Sequence, residues 1–128
     1  MKKLLFIIVI LLVSSIFHSC EKETLDETLL WRGNGKWRCS EGCFENALHE
    51  YWRYFSNNNG YTWVEDEDIY EDEAQKFTWK LVKSELEQIH ILEMGGVVPK
   101  IYTVTELTAT RLRYKDIYGT STTFEKVE

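Results

Sequence analysis

The stretch His49 to Trp63, HEYWRYFSNNNGYTW, constrains the fold more than any other part of the chain. Two aromatic-rich runs flank Asn57-Asn58-Asn59-Gly60. Asn and Gly accept the positive φ angles of tight hairpin turns, and aromatic residues favour a pleated, half-buried surface. The pattern predicts a β-hairpin with strands at about 49–56 and 61–65. Tyr51, Arg53 and Phe55 then share one face and Trp52 and Tyr54 the other, while Tyr61 and Trp63 alternate with Thr62 and Val64. Two strands alone are marginal in water, so this hairpin needs a larger sheet.

The downstream sequence supplies one. From Gln75 to Val82, Phe77, Trp79 and Leu81 fall on one face and Thr78 and Lys80 on the other, the alternation of a strand buried on one side. Leu86 to Leu92 follows, with Ile89 and Ile91 on one face. Pro99 is the one proline; it is expected before the strand from Lys100 or at its first position, where a missing N–H is tolerated. Ile101–Leu107 pairs through Thr108-Ala109-Thr110 with Arg111–Tyr118, Leu107 facing Leu112. Gly119 breaks that run, and Thr122 to Val127 closes the chain. Upstream, Lys36-Trp37-Arg38 opens the first strand, and 39–48 reads as a loop or a single helical turn.

About eight short strands result, consecutive in the chain and joined by tight turns. Strands that follow one another usually pair. An open meander would leave two exposed edges, which closure removes. The fold class is therefore all-β: a small antiparallel up-and-down meander closed into a barrel. A two-sheet β-sandwich is the alternative.

The first residues belong to a different category. Lys2 and Lys3 precede the apolar run Leu4 to Val13, and Ser14-Ser15-Ile16-Phe17-His18 leads to Ser19-Cys20. A basic start, a short apolar run and a small residue before a cysteine spell a secretion signal over 1–19. The run is shorter than the roughly 20 residues that a membrane-spanning helix needs. Without 1–19 the chain keeps 13 basic against 21 acidic residues, a net charge of −8. That balance argues against nucleic acid and anionic headgroups as partners.

Ser19-Cys20 resembles the lipobox of bacterial lipoproteins, in which the cysteine is diacylated and becomes the new N-terminus. Residues 20–28 are then a lipidated start and polar spacer, and 29–128 a folded domain. Together with Gly35-Lys36-Trp37, Tyr54-Phe55-Ser56, Gly60-Tyr61-Thr62-Trp63, Phe77-Thr78-Trp79 and Tyr102 to Thr108, this makes the chain similar to the small lipocalin-like lipoproteins of Gram-negative bacteria. The resemblance implies a lipocalin-like barrel tethered at the outer membrane, periplasmic or surface-facing. It also implies carriage of a small apolar ligand. A filled barrel that binds another envelope protein through its longer loops is the other reading. The chain departs from true lipocalins in lacking their C-terminal helix.

Candidate sites are few. Cys39 and Cys43 can form a disulfide in an oxidising compartment if their Cα atoms approach to about 5.5–6 Å, or can stay unpaired. The acidic run Glu65 to Glu73 lacks the turn glycine of a calcium loop and reads as solvated. His49 and His90 fall in predicted strands with no nucleophile beside them, so no catalytic residue, metal or cofactor is assigned. Trp37, Trp52, Trp63 and Trp79 are expected to fill the core. Long connections carry binding more often than tight turns do. Phe44, Ile69, Tyr70, Met94 and Val97, apolar residues in polar loops, are accordingly the candidate ligand or partner contacts. Folding back as a lid over the core is their other use.

Overall fold

In the computed structural model, residues 24–128 are described; the expected signal segment 1–19 and Cys20 lie outside them. Each of eight strands pairs antiparallel with the next: β1 (Lys36–Glu41), β2 (Glu50–Tyr54), β3 (Asn59–Val64), β4 (Gln75–Val82), β5 (Glu85–Ile91), β6 (Val97–Leu107), β7 (Arg111–Lys115) and β8 (Ser121–Lys126). Strand β8 returns to β1, with Cys39 opposite Phe124, so the meander closes into a barrel. That pairing excludes the sandwich.

The interior face follows from alternation. Trp37, Trp52, Tyr54, Phe77, Trp79, Leu86, Leu112, Tyr114 and Phe124 are buried together. Rings from next-but-one strands meet inside: Trp52 packs on Phe77 at 5.4 Å and Phe124 at 6.2 Å, and Tyr54 packs on Phe77 at 5.4 Å. Gly60 stands between Tyr54 and Phe77 in register, and a Cβ there would collide with the Phe77 ring. The missing side chain is what lets those rings touch.

The turns after β2, β4 and β6 are short and share one end; the connections after β1, β3, β5 and β7 lie at the other. At the short-turn end the chain enters through α1 (Thr28–Trp31), a single turn that the sequence does not announce. Leu30 is fully buried there and Leu25 packs on the core, so the packed unit reaches back past residue 29. The Trp37 indole N–H donates to the Leu30 carbonyl at 3.0 Å. Gly35, at φ +64°, brings its carbonyl to the Tyr54 N–H at 2.8 Å; a Cβ would strike the Tyr54 carbonyl. α1 thus plugs this end.

Several sequence expectations are corrected. β1 continues through Cys39 to Glu41 rather than giving way to a loop at 39, because Cys39 finds a partner in Phe124. The hairpin turn is Phe55–Asn58, with Asn58 at φ +66°, and Asn59 and Gly60 already lie in β3. β7 ends at Lys115, and 116–120 form a turn held by the Asp116 carboxylate.

Pro99 sits third in β6, inside the strand. From Val97 to Tyr102 that strand pairs with β5 alone, since its partners on β7 begin at Thr103. On an edge a missing N–H costs no ladder bond. His49 precedes β2 rather than lying within it. Ile89 and Ile91 share a face, but it is the outer one. Register with β4 sets Leu86, Gln88 and His90 inward, opposite Leu81, Trp79 and Phe77. Trp63 pairs with Tyr51 and so points outward while Trp52 points in. It is buried all the same, stacked on Tyr51 at 5.4 Å with the Lys36 ammonium 5.3 Å from its ring.

Candidate functional site

The long-loop end is held together by carboxylates that the sequence shows only as an acidic run. Cys39 and Cys43 form a disulfide with their Cα atoms 5.8 Å apart, which settles the open pairing and tightens the β1–β2 connection. Glu50, 6 % exposed, accepts the Phe44 N–H at 2.9 Å on one oxygen and the Trp52 indole N–H at 3.0 Å on the other. It joins that connection to the core. Asp66 accepts the N–H groups of Leu48 and His49 at 3.1 and 2.7 Å, and these bonds hold its carboxyl below the usual range. Glu71 pairs with Arg53, and Glu65 accepts the Trp63 indole N–H at 3.1 Å.

Between the β3–β4 connection and the β5–β6 hairpin lies an open cleft of about 700 Å³. Phe44, Ile69, Ile91 and Leu92 give it apolar walls, and Glu67, Asp72, Glu73 and Glu93 stand along it against one ammonium, Lys76. Of the sequence-derived contacts, Phe44 and Ile69 meet here. Tyr70, Met94 and Val97 lie exposed at the same end but outside the cleft.

The β5–β6 hairpin extends this surface. Every residue from Ile91 to Ile101 is exposed, Met94 at 97 % and Val97 at 62 %. Ile91 pairs with Val97 and Ile89 with Pro99, so the outer face of the hairpin is apolar. Ile117 and Tyr118 are exposed on the neighbouring β7–β8 turn. Ile91, Leu92, Ile117 and Tyr118 are absent from the sequence-derived set. Their signal was an apolar doublet beside a turn: Ile91-Leu92 before Gly95, and Ile117-Tyr118 before Gly119.

Beneath the cleft a polar chain enters the core. Gln75, on the cleft wall, has its amide 2.9 Å from Nδ1 of His90. Nε2 of that ring lies 2.9 Å from the Gln88 carbonyl, and the Gln88 amide donates to the Tyr54 hydroxyl at 2.9 Å. Burial among Trp52 and Phe77, with Lys100 adding to it, lowers His90 to about 4. A neutral imidazole donates from one nitrogen and accepts at the other. Both ring nitrogens face amide oxygens, Oε1 of Gln75 and Oε1 of Gln88, so the neutral ring donates to one of the two. Among the described residues no nucleophile joins this chain.

Comparison with protein-family models, with curated proteins and with solved structures finds no match.

Proposed function

We propose that the chain is a lipid-tethered interaction module of the bacterial cell envelope, engaging another envelope protein through its long-loop end. The observation that carries this reading is the contrast between the two parts of the molecule. Aromatic rings occupy the barrel interior, while apolar side chains stay exposed on the β5–β6 hairpin. An eight-stranded barrel holds either side chains or one small ligand, and the buried rings of this interior support the first. Contiguous exposed apolar surface on a soluble domain marks an interaction site.

The tether gives the site a direction. Four residues separate Cys20 from Leu25, so five steps of chain link them, a reach of at most about 18 Å. Leu25 and α1 lie at the short-turn end. A diacylated Cys20 therefore holds that end near the membrane and presents the long-loop end away from it. Native mass spectrometry of the protein from its host, with a fluorescent fatty-acid titration, tests the reading. It expects no co-purifying small mass and no saturable signal; a stoichiometric bound lipid would restore the carrier reading.

A further inference from the structure

We infer that the cleft beside the β5–β6 hairpin receives a peptide segment of the protein partner in which an apolar side chain stands next to a Lys or Arg. The inference rests on the interaction reading above. Ile91 and Leu92 offer apolar contact, and four acidic residues line the same space: Glu67, Asp72, Glu73 and Glu93. Their neighbours Glu65, Asp66 and Glu71 are engaged within the protein, whereas none of these four is ion-paired among the described residues. Lys76 offsets only part of that charge. An apolar cleft lined by uncompensated carboxylates complements a cationic, apolar occupant and resists an anionic one.

The occupant is a chain segment rather than a free amphiphilic amine because the apolar surface does not stop at the cleft. It continues from Ile91 along Val97 to Met94, all exposed. One small molecule fills a cleft of this size and leaves the hairpin bare. A segment that crosses the cleft covers both.

The test is fluorescence anisotropy of the full chain purified from its host. The probes are short labelled peptides alternating Leu with Lys, Leu with Glu, and Ser with Lys. The Leu–Lys peptide is expected to bind, and to bind more weakly at high salt. Glu73→Gln with Glu93→Gln should weaken it about tenfold, as loss of interface charge does. Glu85→Gln with Glu128→Gln makes the same charge change at the short-turn end and should leave binding intact. Urea melts of both double variants establish that each is folded. Equal binding of the Leu–Glu peptide overturns the inference, as does equal weakening by the two double variants. If no peptide binds while a photo-crosslinker at Met94 still captures a host protein, this inference fails and the interaction reading stands.

Discussion

The indole N–H of Trp37 donates to the main-chain carbonyl of Leu30 across 3.0 Å, tying the plug of the barrel to its first strand. Leu30 is fully buried there. Leu30→Ala should cost about 2–5 kcal/mol, the range for a buried leucine truncated in a core. Urea unfolding measures it; a loss near zero would mean that α1 is not packed into the barrel end.

A second prediction concerns register. Trp79 is buried opposite Gln88, and Lys80 points outward to an exposed ion pair with Glu87 at 3.6 Å. Trp79→Ala should cost about 3–5 kcal/mol. Lys80→Ala should stay within about 0.5 kcal/mol. Similar losses from both would put the strand's faces elsewhere.

Adjacent residues thus carry opposite roles, and that alternation is what the sequence made legible. Phe77, Trp79 and Leu81 read as inward from spacing alone, and consecutive pairing led to barrel closure. β5 shows the limit. Ile89 and Ile91 are more apolar than Gln88 and His90, yet register with Trp79 and Phe77 turns the polar pair inward, where they bond to each other and to Tyr54 and Gln75. That pairing is not written in β5. α1 was illegible for another reason: four residues carry no helical period, and their burial depends on an end that exists only after closure. At the candidate site, Phe44 and Ile69 were found as apolar residues in polar loops. Ile91 was not, because it sits at the end of a strand and its exposure depends on the hairpin projecting beyond β7.

The buried histidine makes stability depend on pH. His90 titrates near 6.5 when unfolded and about 4 when folded, so between those values the unfolded chain binds more protons. The stability contributed by neutral His90 is complete above pH 6.5 and is lost as pH falls towards 4, about 3 kcal/mol in all. Asp66 and Asp26, both held below 3.8, lose their contributions only at lower pH and leave the window clear. Urea midpoints across this range should fall in the parent and flatten in His90→Gln. A flat parent profile would place a charged or exposed ring at this position.

Reduction of Cys39–Cys43 opens a ring of few residues, so it should cost about 2 kcal/mol and leave the barrel folded. Thermal melts with and without reductant, followed by near-ultraviolet circular dichroism, check both halves. Unfolding on reduction would assign the bond a larger role than loop closure gives it.

The proposed tether has its own test. Host cells fed a clickable fatty acid should label the protein, and Cys20→Ser should abolish the label. Unchanged label in the variant would remove the anchor and with it the stated orientation.

The central claim is that the long-loop end meets a protein partner. Photo-crosslinking amino acids at Met94 and Tyr118 at that end, and at Asn57 and Ala109 at the opposite end, test it directly in host cells. A discrete crosslinked protein from the first pair and none from the second is the predicted result. Crosslinks from Asn57 and Ala109 alone, or from neither end, would contradict it.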